Sequence, residues 1–330
     1  MAPALSVLDL APIAAGRSAG AALAGTTALA RHAEELGFRR FWVAEHHNSP
    51  SAASTSPETL IAHVAANTGR IRVGAGGVML PYHAPLAVAE RFGMLEALHP
   101  GRIDLGLGRA PADERTEKAL RSDDPGRFDE QLAELRGYLG GGHHGIRAVT
   151  GEHTLPSLWL LGSTDDGARR AARLGMAFVF AAHFHPHLAV QAVALYRELF
   201  APSQITDRPR TIVAAGVVVG EDDEHAAALA LPAAVATLWR RQGRPAPMPS
   251  AGLARALVAR LSGAELAVVR DAAGRAIVGS PATVHAGLSK LVRDTQPDEL
   301  MLTSPVADAE LRARGLEQIA AAFEPAAAVG

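Results

Sequence analysis

Short apolar runs recur along this chain, each followed by a helical pattern, and that alternation restricts the fold more than any other feature. LSVLDL (5–10), FRRFWVA (38–44), IRVGAGGVML (71–80), RIDLGLG (102–108), SLWLLG (157–162), MAFVFAA (176–182), TIVAAGVVVG (211–220) and ELMLTS (299–304) read as strands. Segments near 19–36, 57–68, 84–100, 128–139, 164–174, 188–200, 281–293 and 307–323 read as helices. Ser56 before Pro57 is a cap-plus-N1 pair. The strands are continuous apolar runs, as expected when helices cover a parallel sheet. Eight β–α units in 330 residues are the count of an α/β fold of the (β/α)8 TIM-barrel type. Insertions are expected after strands four and seven. The first is the charged stretch 110–126, read as a loop, with the Gly-rich 140–153; the second is the Ala-rich helical segment 221–275, broken by PAPMPS (245–250). A doubly wound sheet with an appended helical domain would need a boundary inside 221–275. No linker marks one, so 1–330 reads as a single domain.

Composition narrows the function. At 48% hydrophobic and 20% charged, the chain can bury a large core. Its net charge of −2 supplies no excess of cations for phosphates, so no nucleic-acid partner is expected. The absence of cysteine excludes disulfides, thiolate metal sites, iron–sulfur clusters and thiol nucleophiles. The first residues lack a basic start, and Asp9 interrupts their apolar run, which argues against a signal peptide. No segment approaches the ~20 apolar residues of a membrane helix. A cytoplasmic protein without membrane contact is the expectation.

In a barrel, chemistry gathers at the C-terminal strand ends. Strand two ends in Glu45, His46 and His47; strand three in Gly76, Gly77 and Val78; strand four in Gly108 and Arg109. Strand five ends in Gly162, Ser163 and Thr164, and strand six runs into His183, His185 and His187. Gly76 and Gly77 leave backbone open to a flat ligand, or form a β-bulge. Arg109 suits a phosphate, or a surface ion pair with Asp113 or Glu114. Ser163 and Thr164 precede a helix, which favours a phosphate on its N–H groups or plain capping. The three histidines after strand six lack a partner at metal-ligand spacing and read as solvated or hydrogen-bonded, so no metal is expected. GLGRAP (106–111) resembles the start of a dinucleotide fingerprint, but Pro111 replaces the third glycine.

Taken together, FWVAEHHN (41–48), the run 73–111, LWLLGS (158–163) and DELML (298–302) resemble the bacterial luciferase-like, flavin-dependent monooxygenase family. The resemblance covers nearly the whole chain in order, and it implies a barrel with insertions. It also implies reduced FMN as cofactor, with the deazaflavin F420 less favoured, a separate flavin reductase as partner, and a homodimer packed through helix 57–68 or 84–98. The implied reaction passes one oxygen of O2 through a flavin C4a-hydroperoxide to a small organic substrate, aldehyde- or polyketide-like. Alternatives are hydride transfer by F420 or FMN without O2, and a non-catalytic flavin-binding protein. By position, His46 matches the active-site histidine. Gly76 and Gly77, with Val78 beside them, match a segment whose non-prolyl cis peptide lies against the flavin ring. Arg109, Gly162 and Ser163 match the phosphate end, and Glu45 would orient a ring or a backbone group. Successive residues of an extended segment point opposite ways, so only one of His46 and His47 faces the flavin; the resemblance selects His46. Asp165 and Asp166 depart from the pattern. A carboxylate about 4 Å from a phosphate repels it by about 1 kcal/mol per exposed pair, which implies weak FMN binding.

Overall fold

The computed structural model describes residues 3–109, 113–120, 125–151 and 155–323. Its strands are β1 (Ala4–Asp9), β2 (Arg40–Val43), β3 (Arg72–Met79), β4 (Ile103–Gly108), β5 (Ser157–Gly162), β6 (Ala177–Ala181), β7 (Thr211–Val219), β8 (Ala276–Gly279) and β9 (Glu299–Thr303). Its α-helices are α1 (Ala19–Glu35), α2 (Pro57–Ala66), α3 (Pro85–Leu98), α4 (Glu114–Ala119), α5 (Phe128–Leu139), α6 (Asp165–Arg173), α7 (Ala189–Leu199), α8 (Asp223–Arg241), α9 (Ala251–Val258), α10 (Gly263–Ala273), α11 (Pro281–Thr295) and α12 (Ala309–Phe323). Strands β1 to β7 and β9 pair in parallel around a closed ring, with β6 on β7 and β9 returning to β1. The eight-stranded barrel expected from the sequence is therefore present.

Three local expectations need correction. A ninth strand, β8, lies between the 221–275 segment and the helix expected from 281, where no element was expected. Its four residues pair with Gly216–Val219, the half of β7 that continues past the pairing with β9. It is thus a flank on the barrel and not a stave, and a run as short as AIVG between two helices carries no readable period. Part of the charged stretch 110–126 is helical: the Asp113 carboxylate accepts the Arg115 and Thr116 amides and caps α4. Residues 110–112 and 121–124 lie outside the described residues. Ser56 precedes Pro57 as expected, but its hydroxyl bonds to Thr59 and Glu58 side chains instead of capping α2. Other helices do carry a side-chain cap. Ser18, Asp222, Ser250, Ser262 and Ser280 each accept a first-turn amide.

Two apolar layers result. Outward-facing residues such as Val7, Phe41, Val73, Leu105 and Leu300 pack beneath the helices. Inward-facing Leu8, Trp42, Trp159, Val179, Ile212 and Met301 fill the barrel, with the two indoles edge to face at 5.9 Å. Below them, at the N-terminal strand ends, sits a buried ionic cluster. Arg40 Nε donates to Glu299 at 2.8 Å and its Nη1 to Asp104 at 2.7 Å. Trp42 Nε1 and Arg72 also donate to Asp104, and Ser6 donates to Glu299. Burial works against the Arg40 charge, but Asp104 and Glu299 more than offset it. No described helix is long and apolar enough to cross a membrane.

Removing one partner of a buried ion network leaves the others uncompensated, at about 3–5 kcal/mol. Arg40→Met should lower the stability measured by urea unfolding by that amount, with an unchanged m-value. A loss below about 1 kcal/mol would show that the two carboxylates do not depend on Arg40.

Candidate active site

The opposite, C-terminal mouth of the barrel carries the expected residues. After β2 the chain turns back over β1. The Ala53 amide donates to Ala11, Ile13 to Ser51 and His46 to Ser54, each at 2.9 Å, and the Ser54 hydroxyl bonds Ala44. This lacing fixes the backbone of Glu45, His46 and His47.

Glu45 is 6% exposed, and its bonds all go to protein groups. Oε1 accepts Nε2–H of His47 at 2.7 Å and of His83 at 2.8 Å, while Oε2 accepts the Met79 amide at 2.7 Å. Burial pushes the carboxyl up. Hydrogen bonds from His83, His47 and Met79, with the His83 charge, more than offset this and hold it below the usual range. Glu45 therefore orients two rings and one backbone group. Its orienting role agrees with the expectation that it would hold a ring or a backbone group.

His46 projects away from this cluster, as strand alternation requires. Its ring is half-buried, and its Nδ1 is shielded and bonded to nothing among the described residues. Burial, the Arg240 guanidinium and His47 push its pKa below 6.5, with Glu45 opposing. Across the mouth, His183 follows β6, and its Nδ1 lies 3.2 Å from the Ala214 carbonyl. That bond fixes the Nδ1–H tautomer and leaves Nε2 as an acceptor. Burial pushes the His183 pKa to about 4; the Ala214 bond opposes this and nearby His46 adds to it.

The Gly76–Gly77 bond is cis, and the β3–β4 register shifts there, so β3 carries a bulge between Ala75 and Val78. Packing also demands glycine at 77, where the neighbour is backbone, and favours it at 76, where the neighbour is a side-chain tip. A Cβ on Gly76 would stand 2.8 Å from Leu8 Cδ1, and one on Gly77 2.8 Å from the Gly106 carbonyl. Val78 is fully buried under the helices, so only its backbone is near the mouth. Gly106 and Gly108 lie within β4, not in a phosphate-binding turn.

Arg109 is exposed and paired with Asp166, not with Asp113 or Glu114. Helix α6 starts at Thr164 without a side-chain cap, so its first-turn amides are free of that competitor. Asp165 bonds Gln191, and the Ser163 carbonyl accepts His185 Nδ1–H at 3.1 Å. Gly162 lets β5 approach α6, where a Cβ would meet Gly167 Cα at 3.0 Å. His185 is thus turned toward β5 and His183 toward β7. The mouth groups that sequence reasoning passed over are His83 and Arg240; His183, expected to be solvated or hydrogen-bonded, bonds the Ala214 carbonyl. Only His183, at a strand end, carried a positional signal.

A model of the luciferase-like monooxygenase family matches residues 4–298. The chain belongs to that family. It is 39% identical over 320 residues to the luciferase-like monooxygenase of Escherichia coli K12, covering 95% of each chain. It is 42% identical over 187 residues to the N-acetyl-S-alkylcysteine monooxygenase of Bacillus subtilis, covering 54% of this chain and 56% of that one. The crystal structure of apo-MsnO8 superposes with a TM-score of 0.90 at 36% identity, covering 98% of both chains.

The depressed histidines make this family member's stability pH-dependent. Between about pH 4 and 6.5 the unfolded chain binds a proton that folded His183 refuses. Stability is therefore lost as pH falls through that window, by up to about 1.4 kcal/mol per unit, and His46 acts in the same direction. Urea unfolding at several pH values should show a shallower slope for His183→Asn than for the parent. Equal slopes would mean that His183 takes up its proton as readily folded as unfolded.

Proposed function

We propose that this chain is a flavin-dependent monooxygenase that holds reduced FMN in the barrel mouth and delivers one oxygen atom of O2 to a small organic substrate. One observation carries the reading. His46 offers a shielded, unpartnered ring nitrogen beside the Gly76–Gly77 segment, since Val43 pairs with Ala75 and the next residues of β2 and β3 reach the mouth side by side. The residues fit a flavin. A bulged strand end without side chains would lie along a flat ring, and the uncapped α6 start with Ser163 and Arg109 would take a phosphate.

Bound reduced flavin supplies the electrons that activate O2. The chain supplies position and protons. His46, neutral near pH 7, accepts and returns a proton at Nδ1. Glu45 acts through His47, His83 and the Met79 amide, holding the rim in place. The packed Trp42–Trp159 layer closes the floor against water. Reduced flavin comes from a separate reductase in the cytoplasm. A homodimer would use α3, which exposes Met94 and Leu98. FMN is favoured over F420 because the phosphate end is formed by a short rim of one arginine, one serine and one helix start.

Protein mixed anaerobically with reduced FMN and then with O2 should reoxidise the flavin at least tenfold more slowly than free solution does. His46→Ala should release more hydrogen peroxide per FMN, by about 10²-fold relative to coupled oxygen transfer. Reoxidation at the free rate in the parent would refute the reading, and unchanged coupling in His46→Ala would refute the role of His46.

Asp166 occupies the cation that the phosphate needs. Asp166→Asn should tighten FMN binding by about fivefold, the worth of one exposed charge pair. Riboflavin, which lacks the phosphate, should bind unchanged. Fluorescence titration with both ligands checks this.

A further inference from the structure

Beside the mouth a cleft of about 190 Å³ lies between β7, β8 and the helices α8 and α10 of the segment inserted after β7. It is small beside the roughly 300–1,000 Å³ of ordinary small-molecule sites. Its walls are largely apolar and narrow, with Leu10 and Val218 facing a row of alanines from α8 and α10. The polar groups are few and unusual. Thr303, at the end of β9, is 4% exposed, and its hydroxyl is buried without a hydrogen-bond partner. A buried orphan hydroxyl costs about 1–3 kcal/mol, so something that enters the cleft should satisfy it. His183 also lines the cleft, with Nε2 left as an acceptor by the Ala214 bond. The other polar side chains of the lining are Arg240, Arg275 and Thr237, whose hydroxyl is bonded to the Ala233 carbonyl, and no carboxylate is among them. Arg275 is held by Asp271 at 2.7 Å, whereas the exposed Arg240 guanidinium makes no ion pair or side-chain hydrogen bond among the described residues.

We propose that this cleft is the substrate site, that it takes a small organic acid, and that Arg240 is the residue selecting for the acid group. The oxyanion, a carboxylate or a sulfonate, pairs with the Arg240 guanidinium and accepts from the Thr303 hydroxyl. A short apolar tail lies along the alanines of α8 and α10. A hydroxyl or N–H on the ligand donates to His183 Nε2. The inference deepens the oxygenase reading by giving its substrate a chemical class, but the binding it describes needs no flavin.

That independence separates the two tests. Calorimetric titration of flavin-free protein with hexanoate, hexane-1-sulfonate and hexanol reads the cleft alone. Both acids should bind, and hexanol at least about tenfold more weakly, the scale of one charge-assisted hydrogen bond. Arg240→Gln should abolish the preference for the acids and Arg240→Lys should keep part of it, while Thr303→Val should weaken the acids severalfold. The two acids compared with each other assign carboxylate or sulfonate as the better fit. Equal binding of hexanol and hexanoate, no binding of either acid at millimolar concentration, or an unchanged preference in Arg240→Gln would overturn the proposal. So would loss of FMN affinity with riboflavin unaffected in Arg240→Gln, which would give the arginine to the cofactor phosphate. Acid binding without slowed flavin reoxidation would refute the oxygenase reading and leave the cleft assignment standing.

Discussion

A buried guanidinium at the floor of the barrel sets the frame for everything above it. Arg40 is 2% exposed and holds Asp104 and Glu299 at once, and through them the cluster reaches Ser6, Arg72 and Ser157. Those residues belong to β1, β2, β3, β4, β5 and β9, six of the eight staves. A slip of one residue in any of these strands would turn its polar side chain out into the apolar helix layer. The cluster penalises wrong registers strongly, whatever its net contribution to stability. Arg40 also lies over the Trp159 ring at 4.8 Å, which ties the ionic floor to the apolar fill.

With the floor fixed, the mouth is free to hold groups that add little to stability. Glu45 organises one side of it. Its three donors fill most of the four acceptor sites of a carboxylate, and through them it decides where His47, His83 and the Met79 amide stand. The consequence for chemistry is a division of labour between neighbours in sequence. His47 is locked to an acid, and His46 keeps a nitrogen unpaired. Strand alternation supplies that division without any further device.

The barrel was legible in the sequence because its signal is repeated: eight apolar runs, each with a helix, survive errors at any single boundary. The mouth was legible only where it coincides with strand ends, as at His46 and Arg109. Asp166 stood out as a departure, and its pairing with Arg109 is a contact across 57 residues that no local pattern encodes. His83 could not be seen for the same reason, since its partner Glu45 lies 38 residues away on another strand. β8 was hidden by its length. Arg240 sits in an Ala-rich helix where nothing local distinguishes it from its neighbour Arg241, which pairs with Asp271. Gly76 and Gly77 were read as room for a ligand. The Gly106 backbone requires Gly77 as well, so the same absence of a Cβ serves the fold and the mouth together.

Charge is distributed unevenly along the barrel axis. At the floor, each buried cation has its acid. At the mouth, His46 and His183 are kept neutral, Glu45 is spent on other side chains, and Arg240 stands without a counter-charge among the described residues. The α6 start adds the positive end of a helix dipole. Asp165 and Asp166 stand on that helix end and Asp166 pairs with Arg109, so the guanidinium of exposed Arg240 is the charge at the mouth without an acid against it among the described residues. Protonated imidazoles would add to that charge but would lose their acceptor nitrogens. Burial therefore does two things at once. It keeps acceptor nitrogens on the histidines, and it leaves the positive charge of the mouth to the arginines, whose charge does not depend on pH.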